Sequence, residues 1–175
     1  AGSGIQQLRN AGITVDVGIL ESEVRSQLAA YLHHRSTGRP FVVLKMASSI
    51  DGRIAAADGT SKWIIGEIAR RRVHQLRAQS DAIVVGAGTV RADNPSLTVR
   101  EVDGPSPRRI VLGKIDNRAL VHPCTQWTST LPDLLDTLGK DGVLQLLVEG
   151  GARVAASFHR ERLINQYIMH IAPVI

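Results

Sequence analysis

The chain has little of what marks secreted, metal-binding or membrane proteins. Its 175 residues include one cysteine, Cys124, so no intrachain disulfide can form and no cysteine cluster can hold zinc. No apolar run reaches the roughly 18 residues of a membrane helix, and the first residues do not resemble a signal peptide. We therefore expect a cytoplasmic protein without a metal site and without a membrane partner.

Aromatic residues are also scarce, at 3% of the chain. That is too few to stack the bases of a single-stranded nucleic acid. Lysine and arginine exceed the acidic residues by five, which suits anionic partners, but the positive charges are dispersed rather than gathered in a stripe. The balance favours a small phosphorylated metabolite over a nucleic acid.

Apolar runs alternate with helical patterns along most of the chain, which predicts an α/β fold with a largely parallel sheet flanked by helices. We predict strands at residues 13–20, 41–46, 82–86, 109–112, 143–148 and 167–172, and helices at 21–32, 66–79, 130–138 and from Ala152 onward. Residues 33–38 are polar and predict a linker, so we place a domain boundary at Gly38. Residues 1–38 then read as the tail of an upstream domain, and residues 39–175 as a domain whose C-terminal part is incomplete.

Polar groups at the end of the strand at 41–46 predict a small-molecule site. Lys45 lies among apolar neighbours, and the loop that follows carries Ser61 and Trp63. Packing gives no reason for a cation and hydroxyl groups at the end of a buried strand, so we expect these residues to line a ligand cleft.

Two junctions between a strand and a helix contain paired glycines. Gly150-Gly151 follows Glu149 at the end of a buried strand, where backbone N–H groups at a helix start can bind a phosphate; a tight turn is the equally simple alternative. Gly86 and Gly88 form the other junction, but Arg91 stands where a dinucleotide fingerprint has its third glycine.

Several polar residues in this part of the chain have a structural and a functional interpretation. Thr89 can cap a short helix or bind a ligand, and Asp93 can form a turn or one wall of a mixed-charge pocket beside Arg91. Arg77 and Arg100 are our predicted anion-binding pair, because guanidinium groups bind phosphate with two hydrogen bonds. The histidines outside the linker, His74, His122, His159 and His170, have no ligand-like spacing and predict surface or core positions.

Five segments in order resemble the reductase domain of the bifunctional deaminase–reductase of riboflavin biosynthesis, a relative of dihydrofolate reductase. They are residues 39–53 (RPFVVLKMASSIDGR), 59–64 (GTSKWI), 76–83 (LRAQSDAI), 88–100 (GTVRADNPSLTVR) and 147–151 (LVEGG). The resemblance implies a dihydrofolate-reductase-like fold and a homodimer. It also implies NADPH-dependent reduction of the ribosyl group of 5-amino-6-(5-phosphoribosylamino)uracil.

The resemblance also implies roles for individual residues. At the NADPH site it places Ala47, Trp63, Thr89, Asp93, Gly113, Gly151, Ala152, Arg153, Val154, Ala155, Ala156 and Ser157. At the phosphorylated pyrimidine substrate it places Ser61, Arg77, Leu97, Arg100 and Glu149. Lys45 and Asp93 are the candidates for proton transfer, or for stabilising charge at the ribose oxygen.

The resemblance has limits within this chain. Residues 11–18 (AGITVDVG) resemble the end of the family's deaminase domain, but the chain contains no His-x-Glu and no Pro-Cys-x-x-Cys, which a zinc deaminase needs. Two other functions stay open: a dihydrofolate reductase, and a nucleotide-binding module without turnover. The arginines predicted to bind phosphate argue against a pterin substrate.

Overall fold

The computed structural model of the chain describes residues 2–54 and 66–173, and within these ranges a six-stranded sheet forms the centre of the molecule. The strands are β1 (Phe41–Ser49), β2 (Ala82–Gly86), β3 (Arg108–Leu112), β4 (Thr125–Trp127), β5 (Gln145–Val148) and β6 (Gln166–Ala172). Their spatial order is β4-β3-β2-β5-β1-β6, and every pair is parallel. The predicted α/β fold with a parallel sheet is confirmed.

In the described part of the chain, three helices precede β1, and four more lie between the later strands. They are α1 (Ser3–Asn10), α2 (Glu21–Gln27), α3 (Ala29–Thr37), α4 (Glu67–Ala78), α5 (Ala87–Asp93), α6 (Leu131–Lys140) and α7 (Ala152–Arg160). Helix α6 shows how the sequence sets its bounds: the Thr130 side chain accepts a hydrogen bond from Asp133 N at 3.2 Å, and Pro132 occupies the first turn. No helix among the described residues is long and apolar enough to cross a membrane.

Both faces of the sheet are covered, which explains why its central strands are apolar throughout. On one face Val42 and Leu44 pack with the leucines of α6 and with Phe158 of α7. On the other face Val43 packs with Leu76 of α4 and with the apolar side chains of α5. Because side chains alternate along a strand, Lys45 and Ala47 lie on the same face as Val43, towards α4. This alternation positions the site described below.

The N-terminal segment differs from the prediction in two ways. Residues 13–20 form no strand, because the segment folds back onto α1: Ile13 N donates to Leu8 O at 3.0 Å and Arg9 donates to Val15 O at 3.1 Å. The predicted linker at residues 33–38 is helical as far as Thr37, and Gly38 ends α3 with a φ of 73°. The polar residues that predicted a linker lie instead on α3, and much of the surface of this helix is exposed. Helix α1 and strand β4 were not predicted.

Gly139 in α6 is held closely against the turn between α3 and β1. His34 Nε2 lies 3.0 Å from Gly139 O, and a Cβ added at Gly139 would collide with Gly38 O and lie 2.9 Å from its carbonyl carbon. We expect Gly139→Ala to destabilise the protein by about 2 kcal/mol in urea unfolding, since the collision outweighs the better helix propensity of alanine. Gly4→Ala in α1 is the control: no atom lies within 4 Å of the added Cβ, so a comparable loss there would contradict the packing argument.

Candidate active site

Several of the predicted ligand-binding residues come together at the carboxyl edge of the sheet. Strand β5 lies between β1 and β2, so the chain reverses its winding direction at these three strands. In open parallel sheets such a reversal leaves a crevice at the carboxyl ends of the strands, where ligands bind. Lys45 and Ala47 in the C-terminal half of β1, Glu149 after β5 and the start of α5 after β2 all lie at this edge. The topology therefore collects residues that are as much as 104 positions apart in sequence, from Lys45 to Glu149.

Arg77 and Glu149 form a buried ion pair at the centre of this edge. Arg77 Nε donates to Glu149 Oε1 at 2.7 Å and Nη2 donates to Oε2 at 2.9 Å, while Nη1 donates to Thr98 O at 3.2 Å. The two side chains are 12% and 8% exposed. Arg77 is therefore not an unpaired cation awaiting a phosphate, because Glu149 already neutralises its charge. Together the two side chains form a rigid polar floor that still has N–H donors to offer a ligand.

Lys45 lies near this floor without a direct partner among the described residues. It makes no hydrogen bond or ion pair in that part of the chain, although the charges of Glu149 and Arg77 both act on it. Burial lowers the pKa of Lys45, Arg77 lowers it further, and Glu149 partly opposes both. A lysine whose pKa is lowered in this way releases a proton more readily than an exposed one, which suits a general acid.

The two glycine junctions are joined by one hydrogen bond. Gly151 N donates to Thr89 Oγ1 at 3.2 Å, so Thr89 does not cap its own helix α5 but binds the residue that begins α7. No side chain caps α7; Val154 N donates to Gly151 O at 3.0 Å, while the N–H groups of Ala152 and Arg153 have no partner among the described residues and are available to an anion. The close approach at Gly150, where an added Cβ would lie 2.6 Å from Val154 Cβ, serves the packing of α7 on its own turn. The turn is tight, as the structural interpretation predicts, and its uncapped N–H groups keep anion binding as a prediction.

A cavity of about 580 Å³ extends from the start of α7 towards the start of α6. Arg153, Val154 and Ser157 line it on one side, and Ser129 and Thr130 line it on the other. Arg153 is exposed, and no ion pair of its guanidinium is found within the described residues. Ala155 points instead into the core at 5% exposure, and Ala152 and Ala156 lie on the exposed surface of α7.

Gly113 lies in the turn that follows β3, beside the start of α5. Its φ is 103°, a conformation that residues with a side chain rarely adopt, and an added Cβ would lie 3.2 Å from Ala87 Cβ. Its N–H donates to Trp127 O at 2.8 Å, which joins β3 to β4. The glycine is required by this backbone, and its position is at the same sheet edge as the other predicted cofactor residues.

The remaining predicted residues are arranged differently from the pocket expected around Asp93. Arg91 donates to Lys114 O at 3.4 Å and lines a separate cavity of about 310 Å³. Asp93 is the exposed last residue of α5, and no ion pair of its carboxylate is found in the described ranges. Leu97 is 3% exposed and packs in the core. The expected mixed-charge pocket of these residues is not formed.

Arg100 lies on an exposed loop near Arg77, and the two predicted anion-binding arginines contact the same residue. Arg100 Nη1 donates to Thr98 Oγ1 at 2.8 Å and to Ser96 Oγ, while Arg77 binds the backbone oxygen of Thr98. The Arg100 backbone N–H donates to His74 Nδ1 at 3.1 Å, which fixes the loop on α4. Ser61 and Trp63, predicted at the substrate and the cofactor, lie outside the described residues.

His170 is a residue of this edge that the sequence interpretation treated as an ordinary histidine. It pairs with Ala47 across β1 and β6, on the face that carries Lys45. Its alternation with Ile168, which packs in the core, was the signal in the sequence that would have placed it on the inner face. Thr98 was also missed, because a backbone oxygen that receives an arginine leaves no pattern in a sequence.

Comparisons with known proteins identify the family to which the chain belongs. The family model described as "RibD C-terminal domain" matches residues 40–175. The riboflavin biosynthesis protein RibD of Mycobacterium tuberculosis is 40% identical over 100% of the chain and 55% of its own length, and that of Chlamydia muridarum is 38% identical over 97% and 56%. The chain therefore spans about half the length of these curated relatives.

Solved structures give the same result. Acinetobacter baumannii RibD superposes with a TM-score of 0.85 at 36% identity, covering 100% of this chain and 58% of that one. A diaminohydroxyphosphoribosylaminopyrimidine deaminase/5-amino-6-(5-phosphoribosylamino)uracil reductase from Thermotoga maritima superposes with a TM-score of 0.84 at 33% identity, covering 99% and 56%.

Proposed function

Because the chain belongs to the RibD C-terminal domain family, we propose that it is the reductase of riboflavin biosynthesis that acts on 5-amino-6-(5-phosphoribosylamino)uracil with NADPH. The product is the ribitylamino compound, in which the sugar is an open chain. The name of the Thermotoga maritima relative includes 5-amino-6-(5-phosphoribosylamino)uracil reductase. The chain supplies three parts for the reaction: the polar floor formed by Arg77 and Glu149, the partly buried Lys45, and the uncapped start of α7.

One observation carries the proposal: a partly buried lysine of β1 lies beside the end of β5, where the turn to the uncapped helix α7 begins. Strands β1 and β5 are hydrogen-bonded partners, with Leu44 opposite Val148. Lys45 follows Leu44, and Glu149-Gly150-Gly151 follows Val148. A group that transfers protons therefore lies next to a turn that binds anions, which is the juxtaposition a reductase of a phosphorylated sugar needs.

The chemistry assigns Lys45 the role of general acid. As the bond between C1′ and the ring oxygen of the ribose breaks, the Lys45 ammonium gives a proton to that oxygen, and the exocyclic nitrogen forms a double bond to C1′. Addition of hydride to C1′ then leaves a neutral secondary amine, and Lys45 recovers its proton from water. Glu149 and Arg77 keep the floor beneath the sugar polar without adding net charge. Asp93, exposed at the end of α5, is the less well placed of the two proton-transfer candidates.

The residues present fit NADPH. The uncapped start of α7 suits a pyrophosphate, and Thr89 holds that start in place through the Gly151 N–H. The cavity beyond it has room for the far end of a dinucleotide and contains the Arg153 guanidinium. At the same edge, Ala47 has only a methyl side chain and Gly113 has none. When bound, NADPH supplies the hydride. Trp63 and Ser61 are proposed contacts in residues outside those described.

The proposal is tested by mixing the chain with the deaminated phosphoribosylaminopyrimidine and following the loss of NADPH absorbance. We expect turnover with this substrate and none with dihydrofolate. Oxidation of NADPH by dihydrofolate alone would replace the proposal with a dihydrofolate reductase. Binding of NADPH without turnover of either substrate would instead indicate a nucleotide-binding module without enzymatic activity.

Arg153 is predicted to distinguish NADPH from NADH. Its guanidinium lies in the cavity that we assign to the far end of the dinucleotide, and guanidinium binds phosphate strongly. We expect Arg153→Ala to raise the KM for NADPH about tenfold and to leave the KM for NADH nearly unchanged. Arg160→Ala, at the other end of α7, is the matched control. If Arg153→Ala raises the KM for NADPH and the KM for NADH equally, the 2′-phosphate binds elsewhere and not at Arg153.

Further parts of the assignment follow from the family. We propose that the chain acts as a homodimer on a small phosphorylated pyrimidine, with Leu97 and Arg100 beside the substrate, and that residues 1–38 belong to the end of a deaminase-like domain. Helix α3 nevertheless packs on the reductase part through His34, whose Nε2 lies 3.0 Å from Gly139 O. This contact supports treating α3 as a fixed part of the molecule.

A further inference from the structure

His170 has a buried nitrogen without a partner. Its Nε2 atom is shielded from solvent and makes no hydrogen bond to any described residue. Most buried polar atoms in proteins are hydrogen-bonded, because an unpaired one loses the hydrogen bonds that it had with water. The imidazole therefore needs a donor or an acceptor that comes to it from within the site.

Lys45 and Ser49 are the two polar residues of β1 that lie diagonal to His170 on the same face, and Ser49 is already bonded to Asp51 and Arg53. His170 lies opposite Ala47, and Lys45 lies two residues earlier on β1, on the same face of the sheet. Strand spacing and rise place the Cα atoms of such a diagonal pair about 8 Å apart, which two long side chains can bridge. Lys45 also lacks a hydrogen-bond acceptor among the described residues. The Lys45 ammonium, a donor without an acceptor, thus lies on the same face of the sheet as His170 Nε2, which has no donor.

The charges around His170 keep its imidazole neutral. Burial lowers the pKa of His170, the positive charges of Lys45 and Arg72 lower it further, and Glu149 partly opposes them. A neutral imidazole with its proton on Nδ1 presents Nε2 as an acceptor. A cavity of about 570 Å³, lined by Arg71, Arg72 and Gln75 of α4, lies against His170, so the ring is not tightly packed on that side.

We propose that His170 is a positioning residue for Lys45: its Nε2 accepts a hydrogen bond from the Lys45 ammonium and directs that ammonium towards the sugar of the substrate. The assignment rests on the proposed function, because it gives His170 a task only if Lys45 is the general acid. The neutral imidazole stabilises the charged form of Lys45, since a hydrogen bond from an ammonium is stronger than one from a neutral amine.

The kinetic test compares two variants over a range of pH. His170→Phe keeps a ring but removes the acceptor, so we expect the alkaline fall of kcat to begin at lower pH and kcat at alkaline pH to drop about tenfold. His170→Gln restores an acceptor and is expected to recover most of this loss. Met169→Leu, on the opposite face of β6, is the control. A profile of His170→Phe that is lower at every pH but unshifted would overturn the positioning role.

A second readout does not need turnover. Nitrogen NMR of the imidazole is expected to show His170 Nε2 as a hydrogen-bonded acceptor, and Lys45→Met is expected to move that resonance to the position of a free acceptor. An unchanged resonance would refute the contact between the two residues. If the resonance moves but the chain has no reductase activity, the contact stands and the proposed function fails. If the chain is active and the resonance is unchanged, the proposed function stands and the contact between His170 and Lys45 fails.

Discussion

Lys45→Met is expected to lower kcat about 10²- to 10⁴-fold with the phosphoribosylaminopyrimidine substrate, which is the range that a positioned general acid contributes. Lys45 is the one cation on the α4 face of β1, and burial together with Arg77 lowers its pKa. Only its protonated form can supply the proton that the ring oxygen needs. Activity should therefore be lost as pH rises through that lowered pKa, below the ordinary lysine value of 10.5.

Lys45→Arg separates proton transfer from the effect of charge. Arginine keeps the positive charge but does not give up a proton in this pH range, so it should be nearly as inactive as methionine if Lys45 transfers a proton. The measurements are single-turnover rates and NADPH affinity for each variant, with Asp93→Asn as the comparison for the other candidate. Substantial activity in Lys45→Arg would limit the role to electrostatic stabilisation. Unchanged rates in both Lys45 variants would remove Lys45 from the mechanism.

The sequence was sufficient for those elements whose signal is local. Helix α6 was predicted from leucine spacing and an acidic residue in its first turn, and β2 and β5 were predicted from short apolar runs, because in each case the residues that decide the structure are neighbours in the chain. Residues 13–20 alternate like a strand but have no strand beside them. Alternation cannot show whether a partner exists, and the segment folds onto α1 instead.

The site was predicted in part, and the reason is similar. Glycines and basic residues near strand ends predicted a single edge of the sheet, and the structure gathers several of them there, since the ends of parallel strands meet at one edge. What those residues do to one another depends on contacts across 72 positions, such as the ion pair that makes Arg77 a neutralised floor rather than a phosphate clamp. The unpartnered Nε2 of His170 is likewise visible only once β6 lies beside β1.

Arg77→Met is expected to destabilise the protein by about 3–5 kcal/mol, because it leaves the buried Glu149 carboxylate without its partner. The comparison is Arg108→Met, which breaks an ion pair of similar length, 2.6 Å, between side chains that are 43% and 45% exposed. That loss should be at most about 1 kcal/mol, since water replaces the partner at the surface. Urea unfolding of both variants measures the difference.

The double variant Arg77→Met/Glu149→Leu decides whether the pair serves stability or function. Removing both charges should recover much of the stability lost in Arg77→Met, because two apolar side chains of similar volume satisfy a buried site about as well as an ion pair does. The double variant should nevertheless bind the substrate poorly, since its floor no longer offers N–H donors or carboxylate oxygens to the sugar. A stable double variant with wild-type KM and kcat would show that the pair is a packing element. A stable and inactive double variant would identify the Arg77–Glu149 pair as part of the substrate site. The pair would then serve function and add nothing to stability.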